Sequence, residues 1–235
     1  TRCYANGRKS IEAIPAIING MPSWMNNPYM TSHFSGNRIT SPATLLKPYG
    51  YTSSFFHGGT NGTLGFNDFI RFIGFDYYFG RNEFNNDQEF DGHWGIFDEP
   101  FLNFMTKQLN VMPEPFISYV FTLSSHHPYT IPNKYKKLFP KTNPPFLATV
   151  QYVDFALHKF FENAKQNAWY KNTIFIITSD HCSIALSPIF SSHYGAYNIP
   201  LIIFDPQQNT GVTLHHTCQQ IDILPSILDL IKYPS

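Results

Sequence analysis

An acid followed at once by an imidazole, Asp180-His181, ends the run Thr173-Ile174-Phe175-Ile176-Ile177-Thr178-Ser179. A carboxylate and a neutral imidazole side by side are half of a site for a hard-to-borderline divalent cation, which points to metal-assisted chemistry. An isolated Asp-His turn is more often simply solvated, so the other reactive groups of the chain decide the matter. Ser10 follows Asn6-Gly7-Arg8-Lys9 and opens a helix-like pattern. A hydroxyl there can be activated by the helix dipole and, far more, by direct metal coordination, although a lone helix-start serine is more often a cap. His57 ends a strand-like run before Gly58-Gly59, where a ligand can approach the backbone. In Ser124-Ser125-His126-His127-Pro128-Tyr129 the two histidines would point to opposite faces of a strand. One of them is therefore expected to serve a site, as a donor to an anionic oxygen. His93, Trp94 and His193 have no spacing that separates ligand from bystander, and His215-His216 reads as solvated.

For these groups to meet, they must stand at strand ends or helix starts. The β-branched run before Asp180 reads as a strand buried on both faces, and open α/β sheets bind ligands at their C-terminal strand ends. Strands are expected over 51–57, 115–123, 172–178 and 199–204. A helix is expected after Ser10, with Ile11, Ile14, Ile17 and Ile18 inward. Pro15 should either distort its first turn or delay its start to near Ala13. Further helices are expected over 40–48, over 67–73 with Gly74 as the stop, and over 98–109 with Asp98 as cap. The longest, over 147–167, should turn Val150, Val153, Ala156, Leu157, Phe160 and Phe161 inward, and 223–231 should close the chain. Residues 82–98 read as a long loop. The alternation predicts an α/β fold, a mostly parallel central sheet with helices on both faces, in one domain over 1–235.

Bulk properties agree with that picture. The chain has 235 residues, ample for a large core, and 43% are hydrophobic, which excludes a disordered chain. Charged residues make up only 14%, against about a quarter in ordinary proteins, and aromatics reach 17%. Those aromatics are expected to fill the core. Formal net charge is +0, which carries no electrostatic footprint for nucleic acid. Cys3, Cys182 and Cys218 have no zinc-ribbon spacing and allow one disulfide at most. No run of 18 apolar residues spans a membrane and no signal peptide is visible. The chain opens at Thr1-Arg2-Cys3-Tyr4 and reads as an excised soluble fragment.

The motifs Asn6-Gly7-Arg8-Lys9-Ser10, Phe55-Phe56-His57-Gly58-Gly59, Gly74-Phe75-Asp76, Ser125-His126-His127-Pro128-Tyr129, Ser179-Asp180-His181 and Gln220-Ile221-Asp222-Ile223-Leu224-Pro225 occur in this order. Together they resemble the lipoteichoic acid synthase branch of the alkaline phosphatase/sulfatase superfamily. The resemblance implies an alkaline-phosphatase-like catalytic domain, truncated here at its first strand. It places Ser10 at the nucleophile position, usually a threonine, which also binds the metal. Asp180 and His181 match two further ligands of one divalent ion, Mn2+ in the first instance and Mg2+ or Zn2+ otherwise. His57 and His126 match residues that contact substrate. The implied reaction is attack by Ser10 on a lipid- or glycan-linked phosphodiester, as in phosphoglycerol transfer, outside the cytoplasm. The parent protein would be anchored in the cytoplasmic membrane through segments absent from this chain.

Three departures stand out. The fourth ligand of the family, an acid ending the first strand, would lie before Thr1, so the chain alone is expected to bind metal weakly and turn over little. Glu12 lies inside the helix behind Ser10 and is not a substitute. Where the family has a Trp and an Arg after the His-Gly pair, Leu64 and Phe66 stand here, and Gly59 replaces an Asp. Glycerol-phosphate specificity therefore need not carry over with the phosphoryl chemistry. The alternatives are a phosphodiesterase or sulfatase-type hydrolase, and a non-catalytic relic that binds anionic glycans. A sulfatase needs Pro and then Arg starting two residues after its Cys or Ser, whereas Ser10-Ile11-Glu12-Ala13-Ile14 has neither.

Overall fold

The computed structural model describes residues 2–208 and 211–234. Its strands are β1 (Arg2–Tyr4), β2 (Thr52–His57), β3 (Tyr77–Phe79), β4 (Phe116–Phe121), β5 (Phe175–Thr178), β6 (Asn198–Ile199), β7 (Leu201–Phe204) and β8 (Thr217–Gln219). Its helices are α1 (Ser10–Asn19), α2 (Pro42–Leu46), α3 (Phe66–Phe72), α4 (Arg81–Phe84), α5 (Asp98–Leu109), α6 (Phe146–Ala164), α7 (Pro188–Ser191) and α8 (Ile223–Leu230). The elements fall into two compact units, one of residues 1–45 with 171–235 and one of residues 46–170.

In the first unit β1 lies between β6, antiparallel, and β8, parallel, so that Cys3 faces Ile199 and Cys218. Cys3 and Cys218 are register partners, yet all three cysteines are thiols. Burial together with the neighbouring Cys218 pushes the Cys3 thiol up to about 12. β5 pairs with β7 antiparallel, where a parallel arrangement was expected. The connection from β5 to β7 holds no helix longer than the four-residue α7, whereas parallel neighbours are usually joined through a full crossover helix. β5 is half-buried along its length rather than enclosed on both faces. α1 begins at Ser10 and carries Pro15 in its interior, so neither expected remedy for the proline is used. Ala13, Ile14, Ala16 and Ile18 form its buried face, and α8 packs against it.

The second unit is built on β2, which runs parallel to both β3 and β4. Three of the five strand pairings among the described residues are thus parallel, in keeping with the α/β class. The aromatic surplus fills this unit. Phe56 stacks on Phe79 at 4.6 Å between centroids and meets Phe101 and Phe104 edge-on, while Phe55 meets Phe66 and Tyr78. α5 packs on α6. The buried stripe of α6 is Ala148, Thr149, Tyr152, Ala156, Phe160 and Ala164, and Val150 is 49% exposed. The expected face was therefore rotated, because apolar residues surround this helix and Tyr152 supplies the anchor.

Two buried ionisable groups brace this unit. Asp98 is the first residue of α5 and 2% exposed. Its carboxylate does not cap its own helix; Oδ1 accepts from Leu123 N at 2.9 Å, both oxygens accept from Ser124 N, and Asp98 N donates to Ser124 Oγ. Burial pushes Asp98 up to about 6 against those donors. His57 is 1% exposed, and burial holds its imidazole down to about 4.

The two groups make stability respond to acid in opposite senses. The folded chain holds the His57 proton less tightly than the unfolded chain, so stability falls as pH drops from 6.5 towards 4. It holds the Asp98 proton more tightly, so stability rises as pH drops from 6 towards 3.8. Asp98→Asn should remove the compensation. Urea unfolding at pH 6.5 and near pH 4 should show the variant losing on the order of 2 kcal/mol more than the unsubstituted chain over that interval. Equal losses in the two proteins would refute this balance.

Candidate active site

The loop before α1 sets up the first unit's polar centre. Glu12 Oε2 accepts from Arg8 N at 2.7 Å and Lys9 N at 3.1 Å, which settles the helix entry from within. The N-cap position belongs to Lys9, and Ser10 is the first helical residue. Its hydroxyl is thereby released from capping. Ser10 Oγ donates instead to Asp180 Oδ2 at 2.6 Å, across 170 positions of sequence. Asp180 and His181 follow the C-terminal end of β5, and each side chain is 27% exposed.

His181 completes the group. Its Nδ1 lies 2.8 Å from Cys182 O, and its Nε2 lies 3.4 Å from Asp180 Oδ2. A carbonyl only accepts, so Nδ1 carries the hydrogen, and in the neutral ring Nε2 presents a lone pair. That lone pair faces a carboxylate oxygen, which is favourable only when positive charge sits with them. The donor set of hydroxyl, carboxylate and imidazole suits a hard-to-borderline divalent cation. Among the described residues no three His, Cys, Asp or Glu side chains stand close enough together to hold a metal ion.

Gln220, which opens one of the motifs read in the sequence but was given no role there, holds this arrangement together. It is 0% exposed. Its Oε1 accepts from Asn6 N at 2.8 Å, and its Nε2 donates to Ser179 O at 3.0 Å and Asp180 O at 2.7 Å. Asn6 answers from the other side: its Oδ1 accepts from Ile221 N, and its Nδ2 donates to Gln219 Oε1. One amide therefore ties the loop leading to Ser10 to the backbone of Asp180. The motif Asn6-Gly7 was legible, but its pairing with Gln220 was not.

In the second unit His57 ends β2 as expected, but inside the core. Its Nδ1 lies 3.0 Å from Tyr78 Oη, and Phe66 and Phe121 pack against its ring. The ring covers Gly59 so closely that a Cβ there would lie 2.6 Å from His57 Cε1. This explains why a side chain is missing at position 59. His126 is exposed in the turn after β4, not on a strand. Its Nδ1 and Trp94 Nε1 both bond the carbonyl of His127, at 2.8 and 2.7 Å, and the Trp94 and His126 rings are 4.2 Å apart. In the neutral ring the Nε2 of His126 is then an acceptor, and it donates only as imidazolium. His127 packs on Tyr129, while His93, His193, His215 and His216 are exposed.

Gln220→Ala should leave two carbonyls and one buried N–H without partners and cost on the order of 2–3 kcal/mol in urea unfolding. Gln220→Glu, which keeps the acceptor but replaces the donor by charge, should be at least as destabilised. Gly59→Ala should cost about 1–3 kcal/mol and displace the His57 ring, visible as a shifted imidazole NMR signal. An unchanged His57 signal with full stability would show that the ring does not depend on the glycine.

Residues 1–233 match the sulfatase family model. Lipoteichoic acid synthase 1 of Bacillus subtilis (strain 168) is 28% identical over 206 residues, which covers 80% of this chain and 32% of the relative. A protein of the alkaline phosphatase superfamily from Vibrio parahaemolyticus superposes with a TM-score of 0.82 at 28% identity, over 98% of this chain and 57% of that one. The lipoteichoic acid synthase LtaP from Listeria monocytogenes superposes with a TM-score of 0.83 at 19% identity, over 98% of this chain and 62% of that one, and supports the fold. The chain spans about a third of the curated relative's length. The expected fold class and family resemblance are both met, and no helix among the described residues is long and apolar enough to cross a membrane. With the family model covering nearly all of it and motifs in family order from Asn6 to Pro225, the chain belongs to the sulfatase family, in the lipoteichoic acid synthase-like branch of the alkaline phosphatase/sulfatase superfamily.

Proposed function

We propose that this chain is the catalytic domain of a phosphoryl-group transferase that acts on a lipid- or glycan-linked phosphodiester, with Ser10 as nucleophile. The observation that carries the reading is the 2.6 Å bond from Ser10 Oγ to Asp180 Oδ2 at the start of a ten-residue helix. Asp180 fixes the direction of the serine oxygen and accepts its proton at Oδ2. The oxygen then bonds to phosphorus as the phosphorus–oxygen bond to the leaving group breaks and the departing alkoxide takes a proton from solvent, which leaves a serine phosphodiester that keeps the donor's other substituent. An acceptor hydroxyl attacks that phosphorus in the second half and loses its proton to solvent, the Ser10 Oγ–P bond breaks, and Asp180 returns the proton to the serine. The helix N-terminus at Ser10 favours the negative charge that develops during both halves. His181, held by its Nδ1 hydrogen on Cys182 O, keeps Nε2 directed at the same place.

Ser10, Asp180 and His181 would hold one divalent cation, with Mn2+ as the first choice and Mg2+ or Zn2+ as alternatives. When bound, it would supply Lewis-acid stabilisation of phosphoryl charge. We assign substrate contact to His126, which is exposed in the turn after β4. His57, buried against Gly59, is assigned to the substrate region as a residue that positions that glycine. The resemblance to lipoteichoic acid synthases, and a structural neighbour that is a periplasmic domain, support a location outside the cytoplasm on a membrane-anchored parent, and both belong to the proposal. Transfer is preferred to sulfate-ester hydrolysis because the Pro and Arg of the sulfatase signature are missing after Ser10.

The test is Ser10→Ala beside Ser10→Thr in the protein that carries this chain, with phosphatidylglycerol as donor and Mn2+ present. Ser10→Ala should lower turnover by about a thousandfold or more, and Ser10→Thr should retain much of it. Mass spectrometry of the quenched unsubstituted enzyme should find glycerophosphate, the part of the donor left after diacylglycerol departs, esterified to Ser10. Undiminished turnover in Ser10→Ala would end the proposal.

A further inference from the structure

From His181 to Phe204 the chain has no Asp, Glu, Lys or Arg, although charged residues make up 14% of the whole. Within that stretch Ile184, Leu186, Ile189, Phe190 and Tyr194 are exposed, Ile189 at 72% and Tyr194 at 78%. No step of the proposed reaction uses them. They belong to a loop over residues 183–197 whose two ends meet beside the reaction centre. Cys182 follows His181 directly, and its Sγ donates to Asn198 O at 3.0 Å. The loop, Ser10 and Asp180 all lie in the first unit.

The loop is folded on itself. Ser187 Oγ accepts from Ile189 N, and Ser187 O accepts from Phe190 N at 3.0 Å and Ser191 N at 3.2 Å. Ser191 Oγ donates to Ser187 O and Ser192 Oγ to Ile189 O, and Ser192 Oγ accepts in turn from Gly195 N at 3.0 Å. A Cβ at Gly195 would run into Ile189 O, so α7 packs closely on the 3-10 turn over Gly195–Tyr197. The serine hydroxyls are thus matched to the loop's own backbone, while its large apolar side chains stay in solvent.

The chemistry of this face selects among partners. A protein interface carries about one hydrogen bond per 100–200 Å2 and a polar rim. This loop has no Lys, Arg, Asp or Glu to offer and has spent its serine hydroxyls internally. Attraction to an anionic surface would need Lys or Arg. An apolar tip with internally bonded backbone suits the boundary between lipid headgroups and acyl chains, where an unbonded polar group is costly and a tyrosine rests at headgroup level. We propose that the loop over residues 183–197 docks this domain on a lipid bilayer, its apolar tip entering the headgroup–acyl boundary and its base carrying the Asp180-His181 end of the reaction centre. Membrane contact would then come from this chain itself, besides any anchor in the parent. This deepens the transferase reading, on which it rests only for the claim that the docked lipid is the substrate.

The full chain would be sedimented with vesicles of phosphatidylcholine, which bears no net charge, at low and at high salt. It should pellet with them equally at both. Ile189→Trp should be quenched by lipids brominated near the top of their acyl chains. Ile189→Ser combined with Tyr194→Ser should weaken vesicle binding by about tenfold or more at an unchanged melting temperature, since both side chains are mostly in solvent. In the protein that carries this chain, the double variant should raise KM for phosphatidylglycerol in a bilayer and not for a short-chain, water-soluble analogue. Docking is overturned by an absence of pelleting, by its loss at high salt, by unquenched Ile189→Trp, or by a double variant that equals the unsubstituted protein in binding or in KM. Dimers in light scattering that the double variant dissolves, with no vesicle binding, would give the face to a second copy and overturn it too. Ser10→Ala separates the two claims. Vesicle binding with lost turnover supports both, lost turnover without vesicle binding overturns docking only, and vesicle binding with full turnover overturns the reaction only.

Discussion

The side-chain amide of Gln220 is the joint on which the first unit depends. A buried amide with one acceptor and two donor hydrogens can serve two chain segments at once, and here it serves the Asn6 loop with its oxygen and the Ser179–Asp180 backbone with its nitrogen. Every group it touches is backbone, so the joint sets chain path rather than side-chain choice. The 2.6 Å contact between Ser10 and Asp180 follows from that path. A charged residue could not do the same work, because it would offer only donors or only acceptors and would have to be buried unpaired.

The second unit solves a comparable problem with a carboxylate. Asp98 ties the start of α5 to the turn after β4, and that turn carries His126. The His127 carbonyl then gathers both the Trp94 indole and the His126 ring, so an exposed histidine is held in one orientation without being buried. Rigidity at a surface site is obtained here from hydrogen bonds to a single oxygen, with the aromatic core beneath acting as foundation.

Most elements were legible because their periodicity is strong: β2, α3, α5 and α8 lie within a residue or two of the expected ranges, and Ser10, Asp180 and His181 each border such an element. What escaped detection depended on distant partners. Gln220 was visible as the start of a motif but not its role, which depends on contacts 40, 41 and 214 positions away. Asp98 looked like a cap because a helix start is where caps occur, and only the position of Leu123 and Ser124 shows its other use. The face of α6 was misjudged because its apolar residues encircle the helix, so packing against α5 decides which are buried. Ser10 was read as competing with capping, a conflict that Glu12 removes by bonding Arg8 N and Lys9 N itself.

The pairing of β1 with β8 has a consequence for how the protein comes into being. Arg2 to Tyr4 align with Thr217 to Gln219, so β1 gains this neighbour only after more than 200 further residues have been made. Contacts of such long sequence separation form late and slowly. Ser10 likewise waits for Asp180 while 170 further positions are made, so the hydroxyl and its carboxylate partner come together through contacts among the slowest of the fold to form.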